Sequence, residues 1–432
     1  MKNNFIKSTI ILIIGGFLSK ILGMIIKIAL TRTISTKGIG IYSLILPTFN
    51  LFITLSSLGL PIAISKLISE HKNQNKTIVL SIIPIILLFN LFLIIILFLI
   101  SPYLSSNLLH NKITYLPIIS IGLTLPFICI SSIIKGYFFG KEQMLPITIS
   151  NLIEQLIRLL LTLTLIQNLM NYSLKLAITG VVLINILSEG LSIVVLLLFI
   201  PKHKKITIKD FKYNKNIIKD LLNISIPSTG SRLIGSISYF LEPIILTYAL
   251  TKSGYTKHFI TIQYGIINGY AYPLLLLPSF FTLAISNALL PVISNSYSNK
   301  NYIFTKYKIK QAINFSLLIG IPCTIILVLF PEYLLKLIYN TKEGLIYIKI
   351  IAPLFLLYYI QGPLTTSMQA MNMAKEAMYG TLIGAIIKTI TLLVLSLYHI
   401  GIWGLIISSI INILFITIHH YYYVFKTLKK MT

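Results

Sequence analysis

An all-α polytopic membrane fold is predicted: twelve transmembrane helices forming two parallel-repeat six-helix bundles around a central cavity. Three observations carry that prediction. Apolar runs repeatedly reach the ~20 residues that a helix needs to cross a bilayer. Lysine and arginine gather in alternate connections between those runs, and short motifs recur in the same order in the two halves.

The runs, separated by polar or Pro/Gly-rich breaks, define the elements in order. The first span, 7 to 30, follows Lys2 and Lys7 in the manner of a signal peptide. No small-residue cleavage site follows, so it is read as a retained helix. The second, 41 to 66, contains Pro47 and Pro61; the third and fourth cover 77 to 100 and 114 to 137; the fifth, 145 to 168, follows the motif GKEQM; the sixth covers 175 to 200. The seventh, 219 to 249, contains Glu242 and Pro243, and the eighth, 262 to 292, contains Pro278 and Pro291. The ninth and tenth cover 311 to 331 and 346 to 370, the eleventh, 377 to 397, follows AKEAM, and the twelfth, 401 to 425, ends in the interfacial anchor HHYYYVF. Three regions result: an N-terminal lobe at 1–200, a basic cytoplasmic linker at 201–218 and a C-terminal lobe at 219–432.

With 56% apolar and 11% charged residues, the chain has too little polar surface for a water-soluble fold. A net charge of +26 would suggest nucleic acid in a soluble protein. Here most of the charge lies between spans, above all in PKHKKITIKDFKYNKNIIKD at 201 to 220, read as an anchor on anionic lipid headgroups. No nucleic-acid partner is expected, and the positive-inside rule places both termini in the cytoplasm. Cys129 and Cys323 sit in separate apolar runs, which suggests neither a disulfide nor a thiol–metal site. His419 and His420 are adjacent and diverge on a helix, so no metal is expected either. There is no nucleophile elbow, P-loop or dinucleotide fingerprint, so an enzyme or an ATP-driven pump is disfavoured. No cofactor is implied, and the membrane potential or an ion gradient is left as the energy source.

The repeat locates a central pathway before any chemistry is considered. SKILG at 19 to 23 resembles SRLIG at 231 to 235, so Lys20 and Arg232 are equivalent. Pro47 and Pro61 match Pro278 and Pro291, and GKEQM at 140 to 144 matches AKEAM at 374 to 378. Six helices return the chain to its starting side, so the repeats run parallel and Lys20 and Arg232 are expected to face the cavity from opposite bundles.

A charged side chain at mid-bilayer costs roughly 2.5 to 3.5 kcal/mol on insertion scales, so each needs a reason. Gly16, Lys20, Gly23 and Lys27 share one helical stripe whose glycines leave room for the lysine stems. Lys20 lies too deep to snorkel easily, whereas Lys27 either lines the outer mouth or reaches the headgroups. With Arg232 the two lysines form a cationic site suited to phosphate or diphosphate, which lysine meets as a point charge and arginine as a fork. Glu154 and Arg158 are an i, i+4 pair read as a structural salt bridge. Glu242 and Lys388 are either a coupling site or an internal ion pair. Glu189, four residues after Asn185, either bonds locally or faces the cavity; Tyr264 and Asn268 either line it or pack between helices.

Taken together, the stretches SKILGMIIKIALTR, GIGIYSLILPTFN, GLPIAISKLISE, KGYFFGKEQMLPITISNLIEQLIRL, IPSTGSRLIGSISYFLEP and LIGAIIKTI resemble the stage V sporulation protein B-like group of polysaccharide biosynthesis proteins. That group lies within the multidrug/oligosaccharidyl-lipid/polysaccharide (MOP) exporter superfamily, which also holds the lipid II flippases. The resemblance implies a flippase of the bacterial cytoplasmic membrane that works by alternating access. Its implied partners are a lipid-linked (undecaprenyl-diphosphate) sugar as substrate, membrane lipids and enzymes of cell-envelope synthesis. It carries the cavity-facing basic residues of the lipid II flippases onto Lys20 and Lys27. Many of those flippases add two C-terminal helices where this sequence stops at twelve, so lipid II and another polysaccharide precursor both stay open as cargo. Some bind sodium near the position of Glu242; Lys388 stands where a cation ligand would be wanted, so the resemblance implies a tethered ammonium there, with coupling to membrane potential or to none. A multidrug or cation antiporter of the same superfamily, which ought to present acids to its cargo, is the alternative transporter. A membrane factor without transport activity in envelope assembly is the other alternative.

Overall fold

A computed structural model of the chain describes residues 2–70, 75–200 and 215–431. Among them every regular element is helical, and eleven helices are long and apolar enough to cross a membrane, or up to twelve if a bent pair counts as one span. The chain forms two compact units, Met1–Phe240 and Leu241–Thr432.

In the first unit, α1 (Lys2–Thr33) is the first span. The second breaks into α2 (Thr36–Ser57) and α3 (Leu60–Glu70). Ser35 starts α2 by accepting the Gly38 N–H, and Leu58 (φ 41°) and Gly59 (φ 63°) end it. Two successive left-handed residues stop a helix, and the second is a glycine because a Cβ is strained there. Pro61, which has no N–H to leave unpaired, enters the first turn of α3. Four further helices, α4 (Asn75–Tyr103), α5 (Tyr115–Gly140), α6 (Met144–Tyr172) and α7 (Leu174–Leu198), supply the remaining spans of this half. Residues 201–214 of the predicted basic linker lie outside the described residues, and the chain resumes in α8 (Lys215–Lys252), within which the two units meet.

The eighth span, predicted as one helix, consists of α9 (Lys257–Ile266), a π-turn at Ile267–Ala271, α10 (Tyr272–Leu275) and α11 (Ser279–Ser298), and is bent by 54°. Pro273 and Pro278 cannot donate to the hydrogen-bond ladder, so the helix is broken there. The second and eighth spans, equivalent in the repeat, are thus both interrupted. Next come α12 (Tyr302–Leu329), α13 (Pro331–Tyr339), α14 (Leu345–Ala370), α15 (Ala374–Leu397) and α16 (Trp403–Met431).

α13 occupies a stretch read from sequence as a connection. It buries Leu335 and Tyr339 while Tyr333 and Leu337 stay exposed. Glu332 on its first turn meets Lys342 at 2.8 Å and Lys336 at 3.2 Å. Hydrogen bonds from Lys342 and Lys336 hold the exposed Glu332 carboxyl below its ordinary range. A depressed carboxyl stabilises above its ordinary value and loses that contribution as pH falls through the lowered one. Amide protection of α13, corrected for intrinsic exchange, is therefore expected to weaken as pH drops below about 4, and Glu332→Gln should abolish the dependence.

Packing within the first unit relies on small residues. On α5, a Cβ at Gly136 would lie 2.9 Å from Pro61 Cα, and one at Gly140 would lie 2.8 Å from the Ser65 carbonyl oxygen on α3. Four-residue spacing of glycines lets two helices approach this closely, as lipid-embedded helix pairs do. Around the seam Leu60, Ile64, Ile68 and Ile133 form a buried core. Gly140→Val is expected to destabilise by roughly 1–3 kcal/mol through overpacking, read as a lower thermal midpoint in detergent; an unchanged midpoint would show that α3 and α5 are not held this closely.

Candidate functional site

Lys20 is exposed and Lys27 half-buried on α1. The helix lies along α6 and touches it through its glycines: a Cβ on Gly15 would strike Thr148 at 2.0 Å, while one on Gly23 would meet Gln155 Oε1 at 3.8 Å. Gly16, a turn before Lys20, has open space beside it. Arg232 is likewise exposed on α8, between Gly230 and Gly235, and nothing lies within 4 Å of where either glycine's Cβ would be. At both bases a neighbouring glycine leaves the space beside the helix free of other protein atoms. The side chain of Ser231 lies outside those described.

The acids lie elsewhere. Glu154 on α6, only 6% exposed, accepts hydrogen bonds from Arg158 at 2.8 Å through Oε1 and from Lys135 of α5 at 3.3 Å through Oε2. Gln155 donates its amide N–H to Glu154 Oε1 at 3.4 Å. Glu189 on α7 lies in the field of Glu154, Lys135 and Arg158, and its buried Oε2 has no hydrogen-bond partner among the described residues. Three helices of the first unit thus share a cluster of two acids and two bases. Such a cluster offsets part of the penalty of placing ions among apolar helices, a penalty that is repaid only where the remaining polar atoms also find partners.

In the second unit Glu242 of α8, 4% exposed, accepts a hydrogen bond from Lys388 of α15 at 2.5 Å. Its other oxygen accepts the Tyr264 hydroxyl at 3.1 Å. Tyr264 is fully buried, and Asn268 donates to the Tyr264 carbonyl at 3.2 Å. Tyr272, beyond the π-turn, lies in the field of both charges. One ion pair therefore ties α8 and α15 to the broken span on both sides of its π-turn.

The 140-to-374 offset of the repeat carries Glu154 onto Lys388, so α6 and α15 hold opposite charges at equivalent positions. The structure brings Glu154 together with Arg158, and Glu242 with Lys388. Lys135 and Gln155 are the residues that the sequence reading overlooks. Lys135 sits at the end of the predicted fourth span and is read with the connection, but α5 runs on to Gly140 and holds it inside. Gln155 carries no charge to draw attention to it; its polar neighbours at Asn151 and Arg158 along α6 are the available signal. His420 on α16 is buried, with Thr365 Oγ1 at 3.1 Å and the Ala377 carbonyl at 3.4 Å, a tie between helices. Among the described residues no three metal-ligating side chains come together.

The family described as "Polysaccharide biosynthesis protein" matches residues 5–297, and the family "MatE" matches residues 268–395. The chain is 35% identical over 431 residues to "Stage V sporulation protein B" of Bacillus subtilis (strain 168), covering 97% of this chain and 83% of that one. It is 22% identical over 424 residues to "Lipid II flippase MurJ" of the same organism, covering 90% and 77%. Among solved structures, the inward-facing conformation of a multidrug resistance MATE family transporter of the MOP superfamily superposes with a TM-score of 0.79, at 15% identity, over 96% of this chain and 95% of that one. At that identity the likeness shows the fold alone.

Proposed function

The chain belongs to the polysaccharide biosynthesis protein family, and on that premise we propose that it flips a lipid-linked sugar diphosphate from the cytoplasmic to the outer leaflet. It is a multi-pass membrane transporter and not an enzyme. The proposed cargo is a polysaccharide or peptidoglycan precursor on undecaprenyl diphosphate, moved by alternating access of the two six-helix lobes with both termini in the cytoplasm.

The observation that carries the proposal is the exposed Lys20 on a membrane-spanning helix, with glycine-cleared space beside it, matched by Arg232 in the same setting. A cation at that depth calls for water or an anion. A diphosphate is the fitting anion, since lysine offers a point charge and arginine a two-pronged donor. A further feature supports the reading. The buried carboxylates Glu154 and Glu242 already engage Arg158, Lys135 and Lys388, which leaves them poorly placed to receive a cationic drug.

The test is leaflet exchange of a labelled polyprenyl-diphosphate sugar in proteoliposomes. Exchange well above that of protein-free vesicles is expected. Export of dye cations without lipid exchange would instead establish the antiporter reading.

A further inference from the structure

The α1–α6 seam holds a neutral hydrogen-bonding group that the cationic stripe does not account for. Gln155 is partly exposed, and its amide nitrogen is committed to Glu154 Oε1 at 3.4 Å. That bond fixes the direction of the amide: its oxygen points to α1 and lies 3.8 Å from where a Gly23 Cβ would sit. Gly23 lies between Lys20 and Lys27 on their stripe, about one turn from each. Gln155 meets α1 at Gly23, which itself lies on the lysine stripe, so the amide oxygen stands at the edge of the face that carries the lysines.

An acceptor oxygen there cannot serve an ionised diphosphate, which itself only accepts hydrogen bonds. It can serve a donor carried beside the diphosphate. Resting on the flippase reading, we infer that Gln155 Oε1 accepts a hydrogen bond from a hydroxyl or amide N–H of the headgroup sugar. Lys20, on the same stripe, binds the diphosphate, and Gln155 tells a sugar-bearing lipid from a bare polyprenyl diphosphate. Glu154, with Arg158 and Lys135, is the positioning group that keeps the amide turned this way. A site built around a substrate hydroxyl penalises an analogue lacking it, because its own polar group is left without a partner.

Exchange of two labelled lipids, a polyprenyl-diphosphate sugar and the bare polyprenyl diphosphate, tests this in proteoliposomes of wild type, Gln155→Leu and Gln155→Met. Wild type is expected to prefer the sugar-bearing lipid, and either variant that keeps the wild-type thermal midpoint is expected to lose about tenfold of that preference, the range of one hydrogen bond. A wild type without preference overturns the inference, as does a folded variant that keeps the full preference or slows both lipids by the same factor. A wild type that moves neither lipid overturns the flippase reading itself, and this inference with it.

Discussion

Lys388→Ala is expected to destabilise the second unit by about 3–5 kcal/mol, the range found when one partner of a buried pair is removed. Among the described residues Glu242 would keep the Tyr264 hydroxyl alone, on a side chain that is almost entirely buried. An unfolding midpoint in detergent well below that of wild type is the expected reading. The double variant Glu242→Gln/Lys388→Met should recover most of the loss, because neither side then leaves a charge without a partner. If the single variant unfolds like wild type, water already solvates this pair and it does not anchor the broken eighth span.

Glu154→Ala should be comparably severe in the first unit. It removes a carboxylate that bonds both Arg158 and Lys135, and leaves two cations with Glu189 as the acid in their field among the described residues. A loss of about 3–5 kcal/mol is expected here too, whereas Lys135→Met should cost less, because Arg158 still holds Glu154 at the shorter distance of 2.8 Å. Equal losses from the two substitutions would show that Lys135, and not Arg158, is the principal partner of the acid.

The spans were legible because membrane helices announce themselves by length and apolarity alone, without need of tertiary information. The repeat was legible at Lys20 and Arg232 because SKILG and SRLIG keep their spacing. What escaped depends on contacts distant in sequence or on short elements. Glu242 and Lys388 are 146 residues apart, so their bond is a consequence of folding that no local pattern reveals. Pro61 and Pro278 lie near the interruptions of the second and eighth spans, yet only the left-handed pair Leu58–Gly59 and the π-turn before α10 show where each breaks. At nine residues, α13 is too short for apolar periodicity to stand out from a connection. Lys135 looks like part of the connection because a charge at the margin of an apolar run resembles its end, while its acid partner lies on the next helix.

Leaflet-exchange rates of Lys20→Ala and Arg232→Ala, in proteoliposomes with a labelled polyprenyl-diphosphate sugar, show directly whether these two bases carry the diphosphate headgroup. Both variants should retain the wild-type thermal midpoint and exchange lipid at least tenfold more slowly, a loss of roughly 1.4 kcal/mol or more in charge-assisted binding. Folded variants that exchange the lipid as fast as wild type would contradict the account.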